Sequence, residues 1–203
     1  MLKFYHAPMS RSGSILWLLE ELQTPYEMEV VDIRREGGAP EAYRAVQPNK
    51  KVPAIEHDGV VITERAAIAA YLADAFPQAG LAPAIGDSRR GPYLSWLVYV
   101  DAVMDPVMTA RGHGWVYQNM NVSYGGFDDM VRHLNEALEA TPYAAGEAFT
   151  AADTQLGSAL HWATEVVNIL EKTPPLAAYL ERIAARPGFQ RFMAKANVGM
   201  EES

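Results

Sequence analysis

Three short stretches hold the residues whose types and spacing can do chemistry. The first, "YHAPMSRSGSILWLLEEL" from Tyr5, passes from a strand-like start through Ser10, Arg11 and Ser12 into an apolar helix. A helix N-terminus has N–H groups without intrahelical partners and a partial positive charge, and each hydroxyl placed there adds one directed hydrogen bond. Such an arrangement suits an anion; the plainer use of Ser10 or Ser12 is as an N-cap. The second stretch, "QPNKKVPAI", sets Pro53 at the opening of a strand. If the Val52–Pro53 bond is cis, Val52 offers its backbone N–H and C=O to an extended peptide as an added strand would; a trans proline at a strand start is the alternative. In the third, "ITERAAIAAYL", Thr63 is the expected N-cap, with Glu64 and Arg65 in the first helical turn. There they either complement the helix dipole or grip the ammonium and carboxylate of an amino-acid moiety.

The elements that must position these stretches alternate over residues 1–77. "LKFY" reads as a strand, and residues 13–23 as a helix with Ile15, Leu18, Leu19 and Leu22 on one face. A strand follows Pro25, a short helix spans 40–46, and two apolar runs flank Asp58-Gly59, the dipeptide of a type I′ hairpin. An alanine-rich helix closes the set. The order β-α-β-α-β-β-α requires a parallel, right-handed first unit and an antiparallel hairpin, hence a small mixed sheet with helices on its faces. Residues 78–87, rich in Gly and Pro, read as a linker. Everything after Ser88 reads as helix, to the end of an all-helical domain over 88–203. Within it "FDDMVRHLNEALEA" repeats apolar residues at helical spacing, and Thr150 with Asp153 forms a capping-box variant. A break is expected at Pro187-Gly188.

Composition limits what such a chain can do. Its 203 residues carry a net charge of −8 with no basic stripe, which argues against nucleic-acid binding. No apolar run approaches the ~20 residues that span a bilayer, and the N-terminus turns polar too quickly for a signal peptide. A soluble, cytoplasmic protein is the expectation. There is no cysteine, so thiolate metal sites, disulfides and protein-thiol nucleophiles are excluded; the five histidines show no metal-ligand spacing, and no metal is expected.

Taken in order, "YHAPMSRSGSILWLLEEL", "PYE", "QPNKKVPAI", "ITERAAIAAYLADAFP", "FTAADTQLGSAL" and "ARPGFQRF" resemble the glutathione transferase superfamily over nearly the whole chain, in a bacterial-type, cysteine-less form. The resemblance implies a thioredoxin-like N-terminal domain (α/β) followed by an all-helical C-terminal domain, glutathione as co-substrate, and a homodimer. It implies that Val52-Pro53 pairs with the cysteinyl backbone of glutathione, that Lys51 meets the glycyl carboxylate, and that Glu64 contacts the γ-glutamyl head. Arg65 stands where a serine is usual, Asn49-Lys50 replaces a glycine-containing approach, and Ser14 stands where arginine is frequent. For the thiol-activating hydroxyl the candidates are Tyr5, Ser10 and Ser12. Of these Ser10 is assigned to the thiolate, Ser12 to capping and Tyr5 to packing. Met9, Met108, Arg111 and Trp115 are the expected wall of a pocket for an electrophile, apolar or aromatic in character, or a peroxide. A dedicated glutathione-dependent lyase or isomerase, and a non-catalytic binding protein, are the rival readings; the lack of cysteine disfavours a glutaredoxin-like role.

Overall fold

The computed structural model describes residues 1–197. The chain forms two compact units, Met1–Ala79 together with the stretch that begins at Arg186, and Gly80–Ala185. The last helix therefore belongs with the N-terminal sheet rather than with the helices that precede it.

In the first unit, β1 (Leu2–His6), β2 (Glu27–Val30), β3 (Ala54–His57) and β4 (Val60–Thr63) form one sheet in the order β2-β1-β3-β4. β1 and β2 are parallel; β3 runs antiparallel to both β1 and β4. Asp58 and Gly59, at φ 50 and 83, make the two left-handed positions of the hairpin turn. Glu29, Tyr5, Ala54 and Thr63 lie in one row across the sheet. Given these strand directions, residues after Tyr5, residues before Ala54 and residues after Thr63 all leave the sheet at the same end. The helix α1 (Gly13–Leu22) is buried along almost its whole length, and α2 (Arg65–Ala75) buries Ile68, Ala69 and Leu72. The segment expected as a short helix is a 3-10 turn, Glu41–Ala45.

The near-total burial of α1 is explained by the last helix, α8 (Pro187–Lys195). Trp17 lies edge-on to Phe189 at 5.0 Å and stacks on Phe192 at 6.3 Å. Arg186 makes two parallel 2.9 Å bonds to the Glu21 carboxylate, whose Oε1 also accepts the Trp17 indole N–H at 3.0 Å. Lys195 donates to Glu20 at 2.7 Å. Gly188 permits this approach, since a Cβ there would stand 2.3 Å from the Glu21 side chain. The chain breaks one residue earlier than expected, at Arg186, because Pro187 occupies the first turn of α8, where a missing N–H costs nothing.

The second unit holds α3 (Arg90–Tyr99), α4 (Asp105–Gly112), α5 (Phe127–Ala140), α6 (Ala151–His161) and α7 (Pro174–Ala184). Wider π-turns follow α3 and α6, at Val100–Met104 and Trp162–Val166. Helix does not run throughout: beyond Gly112 the chain turns at Gly114, φ 65, and stays irregular to Gly126 except for a 3-10 turn at Asn119–Asn121. The capping box is present, with Thr150 N–H donating to Asp153 at 2.8 Å. Asp153 also accepts Ala144 N–H and the Tyr179 hydroxyl, at 2.8 and 3.1 Å. No helix among the described residues is long and apolar enough to cross a membrane.

Candidate functional site

Strand alternation decides what β1 presents. Leu2, Phe4 and His6 share one face and Lys3 and Tyr5 the other. Tyr5 packs with Val31, Ala39, Tyr43 and Ala54, its ring 5.7 Å from that of Tyr43, and burial pushes its hydroxyl pKa up. Its side chain thus points away from the face on which His6 meets the loop 7–12.

That loop is tied by a hydroxyl cluster. The Ser12 Oγ is fully buried, accepts the Ala7 N–H at 3.1 Å, and lies 2.7 Å from Ser10 Oγ and 2.8 Å from His6 Nδ1. Ser10, partly buried, donates to the Ala7 carbonyl at 2.7 Å and accepts the Ser12 N–H at 3.2 Å. Ser12 therefore does not cap α1. It has helical φ and ψ, and its hydroxyl faces back toward β1. Nor are the first N–H groups of α1 unpaired: those of Gly13, Ser14 and Ile15 bond to the carbonyls of Ser10, Arg11 and Ser12. A 3-10 start has absorbed donors that the sequence left open, so a ligand at this end meets hydroxyls and the helix dipole rather than a ring of free amides. Arg34, from the loop after β2, donates to the carbonyls of Pro8 and Met9 at 2.8 and 3.1 Å and fixes the bend at Met9, which has φ 51 and is exposed.

The Val52–Pro53 bond is cis. The ladders with β1 and β4 begin at Ala54, so Val52 takes no part in the sheet. The approach to it is braced: buried Gln47 accepts the Lys51 N–H at 3.1 Å, and Tyr43 donates to the Lys51 carbonyl at 3.2 Å. Lys50, at φ 56, bends its ammonium onto the Gly37 carbonyl, which leaves Lys51 as the exposed cation of the pair.

At the third stretch the N-cap is Glu64, not Thr63. Thr63 is the last residue of β4, and Glu64 takes φ 67 and ψ 119 with an exposed carboxylate that caps nothing. Arg65 is buried, 6 % exposed, because it begins the face of α2 that carries Ile68, Ala69 and Leu72. Its side chain therefore lies inside the protein, and Glu64 is the exposed charged residue at this helix start.

In the second unit, Arg111 and Trp115 line a cavity of about 440 Å³ together with Tyr117, Asn119, Phe127 and Asp128. Arg111 lies over the Phe127 ring at 4.9 Å, and Trp115, 60 % exposed, stacks on His113 at 5.1 Å. Met108 is 5 % exposed and belongs to the core of this unit rather than to the cavity wall. No group of three or more His, Asp or Glu side chains among the described residues is placed to hold a metal.

Sequence reasoning missed His6 and Arg34. A histidine two residues beyond Phe4 on the same strand face was a signal for the first; nothing in the pair Arg34-Arg35 marked the second.

The chain matches the glutathione S-transferase N-terminal domain family over residues 9–75 and the C-terminal domain family over residues 66–182. It is similar to glutathione S-transferase GstA of Escherichia coli O157:H7, 29% identical over 194 residues that cover 93% of this chain and 96% of the relative. It is 31% identical to glutathione S-transferase 3 of Schizosaccharomyces pombe over 176 residues, 77% of this chain and 72% of the relative. Among solved structures, a sphingomonad glutathione S-transferase complexed with glutathione superposes with a TM-score of 0.79 at 27% identity, covering 97% of this chain and 99% of that one. The mixed sheet with a cis-proline leading into β3, the helical second unit and these matches along both of them place the chain in the glutathione S-transferase superfamily.

Proposed function

We propose that the protein binds glutathione along the end of the sheet and activates its thiol for attack on an apolar or aromatic electrophile. The observation that carries this is the row Tyr5, Ala54, Thr63, from which the hydroxyl loop, Val52 and Glu64 all depart at one end. Strands lie about 4.8 Å apart, so β1 to β4 spans about 10 Å, the length of an extended tripeptide at about 3.3 Å per residue. Glutathione is such a peptide. Its γ-glutamyl head would meet Glu64 and the start of α2, its cysteinyl backbone Val52, its glycyl carboxylate Lys51, and its sulfur the Ser10 hydroxyl. The similar sphingomonad enzyme was solved with glutathione bound, which supports the same ligand here.

An ordinary thiol with a pKa near 8.5 is only a few per cent ionised at neutral pH. A hydroxyl donor beside a helix N-terminus favours the thiolate, the thiol proton leaving to solvent. The thiolate then forms a carbon–sulfur bond and expels a leaving group or opens a strained ring. Ser10 is assigned the donor role because it is the half-buried residue of the cluster; Ser12 is enclosed and Tyr5 faces the other side of the sheet. Arg111 and Trp115 are proposed to receive the electrophile. A homodimer is part of this reading, supported by the exposed apolar pair Leu94 and Val98 one turn apart on α3.

Calorimetry with glutathione tests the reading. Removing a charged hydrogen-bond partner costs about 1.5–3 kcal/mol, so Glu64→Ala is expected to weaken binding at least tenfold with the fold intact. Unchanged affinity overturns the site. Turnover of an aryl halide, compared with ethers, epoxides and peroxides, then identifies the electrophile class.

A further inference from the structure

Buried at the root of the hydroxyl loop is a histidine the proposed reaction has not used. His6 is 1 % exposed, its Nδ1 is 2.8 Å from Ser12 Oγ, and its Nε2 has no hydrogen-bond partner among the described residues. Its ring lies 5.4 Å from that of Phe4, an apolar neighbour. Burial pushes its pKa down to about 4, so it is neutral near pH 7 and carries one ring proton.

Two tautomers are then possible, and they polarise the serines oppositely. With the proton on Nε2, an N–H donor is buried without a partner, while Ser12 spends its own proton on Nδ1. With the proton on Nδ1, only an acceptor lone pair goes unmatched, and orphaned buried N–H groups are the rarer and costlier defect. In this second state Ser12 Oγ accepts twice, from His6 Nδ1–H and from the Ala7 N–H. Its lone pairs are filled, and its proton goes to Ser10 Oγ at 2.7 Å rather than to the more distant Ala7 carbonyl at 3.2 Å, which the Ser10 proton already occupies at 2.7 Å. Ser10 Oγ in turn accepts from Ser12, and the Ser10 proton, resting on the Ala7 carbonyl, is the one the cluster can give to a ligand.

We propose that His6 is a positioning residue: through an Nδ1–H bond to Ser12 it directs the chain His6 → Ser12 → Ser10, so that Ser10 presents its O–H outward to the glutathione sulfur. This rests on the reading of Ser10 as thiolate donor. No proton is passed along the chain; each hydroxyl keeps its own. The effect is orientation plus polarisation, because a hydroxyl that accepts a hydrogen bond is a stronger donor.

The test compares His6→Phe, which keeps a ring in the core but has no N–H, with His6→Asn, whose side-chain amide can replace Nδ1–H. The thiolate of bound glutathione is followed by its ultraviolet absorbance, and binding is followed separately with S-methylglutathione, which has no thiol to ionise. His6→Phe is expected to lower the thiolate fraction at neutral pH roughly two- to fivefold, the range of one redirected neutral hydrogen bond. S-methylglutathione affinity should stay within about twofold of wild type, and His6→Asn should restore most of the thiolate signal. In the wild-type protein, NMR of isotope-labelled histidine should find the His6 proton on Nδ1; this measurement decides the matter even if His6→Phe does not fold. A proton on Nε2, an unchanged thiolate fraction in folded His6→Phe, or a parallel loss of S-methylglutathione binding overturns the role of His6 while leaving Ser10 in place. Failure of wild-type protein to bind S-methylglutathione, or a thiolate signal insensitive to Ser10→Ala, overturns the underlying reading and the His6 role with it.

Discussion

Replacing Ser12 by alanine separates a helix cap from a buried structural hydroxyl. An exposed N-cap serine is worth about 1 kcal/mol. Here the Oγ is enclosed, accepts the N–H of buried Ala7, and contacts His6 and Ser10. Its removal forfeits about 1 kcal/mol for a typical net hydrogen bond and adds roughly 1–3 kcal/mol for the Ala7 donor left buried without a partner. The expected loss is therefore about 2–4 kcal/mol, or roughly 5–15 °C in melting temperature for a chain of this size. Ser10→Ala should cost about 1 kcal/mol or less, because Ser12 Oγ stands 3.2 Å from the same Ala7 carbonyl and can donate to it. Urea denaturation and scanning calorimetry of both variants supply the comparison. Equal losses, or a Ser12→Ala cost at or below that of Ser10→Ala, would refute the assignment of Ser12 as the anchor of the loop.

Other outcomes follow from the packing and the charges. Gly188→Ala must push the Glu21 side chain off Arg186 and the Trp17 indole, and should destabilise the first unit by about 2–4 kcal/mol, read as an earlier urea midpoint. Burial raises the Asp153 pKa to about 6 against the opposing pull of its N–H and hydroxyl donors. A folded-state value above the unfolded one gives stability that is full below about pH 4 and is lost as pH rises through 6. Relative to Asp153→Asn, the wild-type protein should then lose stability over that window; a gain would show the donors outweighing burial. Leu94 and Val98, 39 % and 57 % exposed, lie one turn apart on α3. A double change to glutamate should halve the mass found by light scattering, and a monomeric wild-type protein would refute the proposed dimer.

Patterns with a strong local period were legible in the sequence. The strand–helix alternation, the Asp58-Gly59 turn and the Thr150–Asp153 box each follow from residues within a few positions of one another. What escaped depended on long-range partners. Glu20 and Glu21, which carry no motif of their own, are satisfied by Lys195 and Arg186, more than 160 positions later. Arg65 reads as a head-group contact from its place in the first turn of a helix, and its burial is set by the phase of α2, which puts it on the face of Ile68, Ala69 and Leu72. Ser12 looked like a cap because serine before a helix usually is one, and only the position of His6 on β1 turned its hydroxyl inward.

Three of the six non-glycine residues with positive φ among the described residues lie at the candidate-site end of the sheet. Met9, Lys50 and Glu64, none of them glycine, hold φ of 51, 56 and 67. Each lies in a different one of the segments that carry the candidate contacts: the hydroxyl loop, the approach to Val52, and the start of α2. A residue held in such a region costs of order 1–3 kcal/mol and persists only where its surroundings over-determine it. The surroundings are visible here: Arg34 clamps the carbonyls beside Met9, Gln47 and Tyr43 brace Lys51, and Glu64 is caught between the end of β4 and the first turn of α2. At Glu64 the strained conformation and the proposed head-group contact reside in one residue. Glu64→Gly should therefore relieve strain and raise stability while weakening glutathione binding, and a variant that gains stability with affinity intact would show that the conformation serves the fold alone.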